Sequence, residues 1–142
     1  MKRRPYTEAL SIIRAAGLRP TRQRLALFRL LFGGADRHVT AEELHSQAQR
    51  ARVNVSLATV YNTLRQFTRT GLLREVAIGA DRLYFDTNVS HHHHFYYNDD
   101  GELVDIPDNM VALKELPLSP DGSEVERVDI IVRLRGAKEV AG

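Results

Sequence analysis

Residues 56–71 restrict the fold more than any other stretch of the sequence. Ser56 can cap a helix and Gly71 can end one. At 100° per residue, Leu57, Val60, Tyr61, Leu64 and Phe67 fall within roughly a third of the helix circumference. Thr59, Asn62, Thr63, Arg65, Gln66 and Arg69 cover the remainder, with no carboxylate among them. A solvated helix face usually mixes both charge signs. A helix that enters the major groove of DNA excludes acids, because phosphates repel them, and offers Arg, Asn, Gln and Thr to base edges. A surface helix that merely lacks acids is the plainer alternative.

The flanking sequence supplies companions for this helix. Thr7 is placed to cap a first helix to about Ala16, with Leu10 and Ile13 on one face and Gly17 after it. Thr21 caps a second over 22–32, halted by Gly33-Gly34. Thr40-Ala41-Glu42-Glu43 fits a capping box, in which Thr and Glu satisfy one another's backbone N–H groups, and opens a third helix to about Arg50. Beyond Gly71, 73–78 and 82–85 are β-prone runs joined by Gly79-Ala80-Asp81, which predicts a hairpin. Helices followed directly by a hairpin predict a winged helix-turn-helix, one helix in the major groove and its neighbours on phosphates.

Charge divides the chain in the same way. Residues 1–86 hold 15 Lys and Arg against 7 Asp and Glu, and residues 87–142 hold 5 against 11. The basic half points to a polyanionic partner. The division predicts an α+β protein of two domains: 1–86, a winged helix-turn-helix DNA-binding domain, and 87–142, a small α/β domain. No apolar run approaches the roughly 18–20 residues needed to cross a bilayer, and no signal-like stretch follows the basic start, so no membrane role and a cytoplasmic location are expected. Cysteine is absent, which excludes disulfides, thiolate nucleophiles and Cys-ligated structural zinc.

At the change of charge sign stand His91, His92, His93 and His94, followed by Phe95-Tyr96-Tyr97. A solvated loop is the bland reading; a metal or haem site is the sharper one, since neutral imidazole is the commonest metal ligand. On an extended segment alternate side chains share a face, so His92 and His94 point one way and His91 and His93 the other. Strands are expected at 91–97 and 103–106 around the turn Asn98-Asp99-Asp100-Gly101. Asp108 is placed to cap a short helix through Leu116. Val128, Ile130, Val132 and Leu134 alternate with polar residues as in a half-buried strand. So few elements make a meagre core, which favours a dimer that shares it.

Ser56-Leu57-Ala58-Thr59-Val60-Tyr61-Asn62-Thr63-Leu64 resembles the recognition helix of the ferric uptake regulator superfamily. Gly17-Leu18-Arg19-Pro20-Thr21 with Arg24, His38-Val39-Thr40-Ala41-Glu42-Glu43-Leu44 and the His run extend the resemblance over nearly the whole chain. Tyr84-Phe85-Asp86-Thr87-Asn88, Leu103-Val104-Asp105-Ile106-Pro107 and the lack of cysteine are most similar to the iron response regulator branch, whose members act in iron limitation and are switched off through haem. The resemblance implies a winged helix joined to an α/β dimerisation domain, with Tyr61 and Arg65 in the major groove and Arg19 near the minor groove or phosphates. With the acid-free face and its cap, the DNA-binding set is Arg19, Ser56, Thr59, Tyr61, Asn62, Arg65 and Arg69. It also implies a regulatory metal site at the domain junction from His38, Asp86, His92, His94 and Asp105. Imidazoles with hard carboxylate oxygens suit iron, manganese or zinc. Haem, if held, falls to His91, His92, His93 and His94, because imidazole is an ordinary axial ligand.

Two departures stand out. Tyr97 and Asp100 occupy the positions of a Cys pair that holds structural zinc in the family, and no His follows His94 to complete a further family site. Fewer metals than in a typical member are expected. The expected protein is therefore not an enzyme but a homodimeric, iron-responsive transcriptional regulator of palindromic double-stranded operator DNA, controlled by haem or a divalent metal. The alternative is a zinc- or manganese-responsive repressor of the same family that does not sense haem. A His/carboxylate metalloenzyme, or a metal buffer, would leave the acid-free helix without a purpose.

Overall fold

The computed structural model describes residues 6–136 and divides the chain into two compact units that meet at Val89 and Ser90. In the first, α1 (Tyr6–Ala15), α2 (Arg22–Phe32), α3 (Ala41–Arg50) and α4 (Leu57–Arg69) are joined by β1 (His38–Val39), β2 (Arg74–Ala77) and β3 (Leu83–Asp86). Local chemistry sets most of the boundaries. Thr21 Oγ1 accepts from the Arg24 N–H at 3.2 Å and Ser56 Oγ from the Thr59 N–H at 3.1 Å. The capping box is complete: Thr40 Oγ1 accepts from the Glu43 N–H, and Glu43 Oε1 accepts from the Thr40 N–H. Thr40→Ala should therefore lower the stability of this unit by about 0.5–2 kcal/mol, read as a shift in the denaturant midpoint at constant slope.

Helix ends are equally local in origin. The Leu72 N–H reaches back to Phe67 O at 2.8 Å and the Gly71 N–H to Thr68 O at 3.1 Å, with Gly71 at φ +82°. That left-handed residue satisfies carbonyls the helix leaves unpaired. α3 ends in the same way on Arg52, at φ +59°, with the Val53 N–H on Ala48 O. The first helix departs from expectation by beginning at Tyr6, so Thr7 lies within its first turn and does not precede it.

Ile13, Phe28, Leu31, Leu44, Leu64 and Phe67 are fully enclosed at the centre of this unit. Phe28 and Phe67 meet edge-to-face, centroids 6.1 Å apart, a geometry that adds to the burial. Thr63, read above as part of the polar face, is buried; four residues before Phe67, it lies on the inward side of α4. The hairpin forms as expected: β2 and β3 are antiparallel, and Ile78 N donates to Arg82 O at 2.9 Å across the turn. β1 is an addition that no sequence signal announces. It pairs antiparallel with β3, His38 opposite Asp86, giving the order β1-β3-β2.

In the second unit β4 (His93–Tyr97) is central. It pairs antiparallel with β5 (Leu103–Ile106) and parallel with β6 (Ile131–Leu134). Gly101, at φ +73°, donates to Tyr97 O at 2.8 Å and closes the β4–β5 turn. Three expectations need correction. The strand opens at His93, so His91 and His92 precede it. Asp108 to Met110 form a single 3-10 turn with no side-chain cap, and no helix continues to Leu116. Nothing in 111–119 is buried; a short helix without a packed face is marginal, and Pro117 steers Leu116 towards extended backbone. Finally, β6 covers only the end of the alternating segment, with Val128, Ile130 and Leu134 half-buried and Val132 at 36% exposure.

Candidate metal centre and nucleic-acid interface

Each unit presents its own set of polar side chains. In the first, the β1–β3 register sets His38 against Asp86. His38 Nε2 lies 3.2 Å from Asp86 Oδ2, while Asp86 Oδ1 accepts from the Asn88 N–H at 2.9 Å. Asp86 is 1% exposed, so these contacts replace the water that a buried carboxylate has lost. Arg37 N–H donates to Thr87 Oγ1 at 2.8 Å and Thr87 N–H to Arg37 O at 3.0 Å. Those bonds extend the ladder past the His38–Asp86 pair and hold it in place.

In the second unit, the β4–β5 register sets His94 opposite Asp105. The rings of His92 and His94 are 4.6 Å apart, and their Nε2 atoms lie 3.3 and 3.5 Å from Asp105 Oδ1. Both imidazoles are buried; the carboxylate is 40% exposed. His92 Nδ1 meets Ser90 O at 2.6 Å. A carbonyl only accepts, so Nδ1 carries the proton and, in the neutral ring, Nε2 keeps its lone pair. That lone pair then faces a carboxylate oxygen, an arrangement that favours a shared cation. Two atoms each bound at about 2.0–2.1 Å to a tetrahedral ion lie about 3.3–3.4 Å apart. The donor set, spacing and orienting carbonyl all fit a divalent metal.

His91, His93 and Asp108 form a second cluster, in which His91 Nδ1 is 2.7 Å from Asp108 Oδ1 and His93 Nε2 is 3.9 Å from the same oxygen. Its chemistry differs. His93 Nδ1 accepts from the Ile130 N–H at 3.2 Å, which puts the neutral ring's proton on Nε2, towards Asp108. That imidazole is set up as a donor, whereas His92 is set up as a ligand. Asp108, read above as a helix cap, serves instead as the acceptor of this cluster; its role depends on pairing across 17 residues, which no local pattern signals. His91 is exposed, and His92, His93 and His94 are not.

On α4 and its approach, Arg19, Ser56, Asn62, Arg65 and Arg69 are exposed, while Thr59 and Tyr61 are half-buried. Ser56 Oγ is committed to its cap and also donates to Thr59 Oγ1 at 2.9 Å. Tyr61 packs against the core and its hydroxyl donates to the Glu42 carboxylate, 3.0 Å from Oε2. This hydrogen bond to a carboxylate, with some desolvation, raises the phenol above its ordinary pKa and keeps it protonated. Glu42 comes from α3, so the absence of acids from α4 itself does not describe everything beside it. On the opposite flank, Arg24 of α2 donates from Nε and Nη2 to Gln66 Oε1 at 3.1 and 2.8 Å, and from Nη1 to Arg19 O at 2.9 Å. Neither Glu42 nor Arg24 was legible as a partner of α4, since the contacts span 19 and 42 residues. His45 has a structural place, its Nε2 donating to Val55 O at 3.2 Å.

An α+β chain that gathers imidazoles and carboxylates on small sheets, with no thiolate, offers donor sets of the kind that could hold a divalent metal. The chain belongs to the ferric uptake regulator family, which matches residues 15–132. The peroxide-responsive repressor PerR of Staphylococcus aureus is 36% identical over 98 residues, or 69% of this chain; this chain spans 66% of that repressor's length. The ferric uptake regulator of Pseudomonas aeruginosa, solved with manganese, superposes with a TM-score of 0.67 at 26% identity, covering 90% of this chain and 97% of that one. The regulator of Vibrio cholerae gives 0.70 at 22% identity, with 89% and 98% covered, a likeness of fold. Among the described residues, no helix is long and apolar enough to cross a membrane.

Proposed function

We propose that the chain is a dimeric, metal-responsive transcriptional regulator and not an enzyme. Residues 1–86 act as a winged helix-turn-helix that reads double-stranded operator DNA, and residues 87–142 dimerise and sense. The observation that carries the metal response is the His92 tautomer: Ser90 O holds the proton on Nδ1 and leaves Nε2 facing Asp105. His92, His94 and Asp105 supply ligands from the second unit, and His38 with Asp86 offer a donor pair in the first. Bound there, iron, manganese or zinc would give the fixed positive charge that these imidazoles and carboxylates, three and two in number, are arranged to meet. Metal occupancy would switch operator affinity, and half-site spacing must match the dimer. The peroxide response in the name of the Staphylococcus aureus relative and the haem response of the iron response regulator branch are the two finer readings. For haem, the exposed His91 offers the accessible imidazole, whereas burial of His92, His93 and His94 favours an ion.

DNA reading belongs to Arg19, Thr59, Tyr61, Asn62, Arg65 and Arg69, with Ser56 setting the helix start. Arg65→Ala should cost about 1–3 kcal/mol in operator binding and relax preference at one base pair, measured by fluorescence anisotropy at fixed salt. Unchanged affinity and preference in the folded variant would remove Arg65 from the interface. The whole reading is tested by selecting a motif from randomised duplexes. Binding to it is then measured while Mn²⁺, Zn²⁺, Fe²⁺, haem and hydrogen peroxide are added separately. A response to divalent ions alone supports the ion reading; a response to haem alone transfers it to the haem branch. Failure to select any motif sinks it.

A further inference from the structure

Gln66 sits half-buried on α4, beside a cleft of about 410 Å³ lined by Arg19, Thr21, Arg24, Thr59 and Asn62 among others. Its amide orientation is decided by its neighbour. Arg24 presents Nε and Nη2 to a single atom, Gln66 Oε1, at 3.1 and 2.8 Å. A guanidinium has donors only, so the oxygen must face it and the NH₂ must face away; the usual ambiguity between amide O and N does not arise. Both lone pairs of Oε1 are then engaged. What Gln66 retains for a ligand is a pair of N–H donors on Nε2. Thr59, Asn62 and Gln66 follow one another at three and four residues, so they share one face of α4.

This fixed orientation changes what a glutamine can read. A free glutamine pairs with adenine by accepting from N6 and donating to N7 in the major groove. With Oε1 occupied, the accepting half of that pairing is lost. We propose that Gln66 is a specificity-determining residue that reads a keto base, guanine through O6 and N7 or thymine through O4, and discriminates against the amino groups of adenine and cytosine. Arg24 is its positioning residue. The same guanidinium donates from Nη1 to Arg19 O at 2.9 Å, so one side chain ties both the Arg19 segment and the Gln66 amide to a common frame. The inference rests on the DNA-reading role of α4.

The test is selection from a randomised duplex library with the full chain, wild type and variants, under one metal condition, followed by affinities against single-base variants of the selected motif. Wild type should favour a keto base at one position of each half-site on the order of 10-fold. Gln66→Ala should flatten that position and leave the others as they were. Gln66→Glu keeps an acceptor for Arg24 but replaces the donors with a second acceptor, and should move the preference towards adenine or cytosine. Arg24→Lys retains the charge but loses the fork, so the amide can turn and adenine should be admitted. Its salt dependence should match wild type, because Arg24 neutralises no phosphate. A Gln66→Ala protein with every base preference intact overturns the assignment while the DNA reading stands. An Arg24→Lys protein with intact preferences and a shallower salt slope would make Arg24 a phosphate contact and end its positioning role. Wild type that selects no motif would end both the inference and the reading beneath it.

Discussion

Val104→Asp should convert a dimer into a monomer and lower affinity for a two-fold symmetric operator on the order of 10²- to 10⁴-fold, because the second half-site ceases to be an intramolecular partner. Phe95 is paired with Val104 on one side and with Val132 on the other, so the three form a row across β5, β4 and β6. Val104 is 38% exposed. Met110, Leu113, Leu116, Leu118 and Val125 of the same unit are also exposed, with Leu118 at 97%. Apolar surface of this kind on so small a unit is what a second copy would cover. A carboxylate placed at the β5 end of the row would lose its water on association without gaining a partner. Sedimentation velocity measures the first consequence and anisotropy on symmetric and half-site duplexes the second. Wild type that sediments as a monomer at micromolar concentration while binding operator tightly would refute the dimer. A Val104→Asp protein that stays dimeric would move the interface to another surface.

Loss of His92 and His94 together should weaken divalent-metal binding by well over the 10–100-fold that outer-shell changes alone produce, and should abolish the metal dependence of operator binding. The apo variant should still bind DNA as apo wild type does, because both residues belong to the second unit and α4 to the first. His91→Ala is the matched control, since His91 pairs with Asp108 and not with Asp105. Calorimetric titration with Mn²⁺ or Zn²⁺, beside operator anisotropy, separates the outcomes. Metal affinity that falls more for His91→Ala than for the double variant would transfer the site to the cluster of His91, His93 and Asp108. A double variant that folds but no longer binds DNA without metal would give the pair a structural role instead.

How far the sequence foretold these features depended on the range of the interactions that make them. The helices of the first unit were legible because their signals are local: Thr21, Thr40 and Ser56 bond to backbone N–H groups three residues on, and Gly17 and Gly71 supply left-handed turns. The close of α3 carried no such sign, because Arg52 takes the position that glycine holds elsewhere and accepts the steric cost. The helix expected after Asp108 had a plausible start but no core to pack against, and none of its residues is buried.

The amino-acid sequence by itself determined the acid-free surface of α4, the hairpin after it, the sorting of four consecutive imidazoles onto two faces and a donor set without thiolate. Each follows from periodicity, capping or composition, which act within a few residues. Tertiary structure alone decided which atoms of those residues remain usable. The β1–β3 register brought His38 to Asp86; Ser90 O left His92 Nε2 a lone pair, while the Ile130 N–H took that of His93 Nδ1; and Arg24, 42 residues from Gln66, turned its amide. A proton's place on an imidazole and the facing of an amide depend on partners distant in sequence, and only folding brings those partners within hydrogen-bond reach.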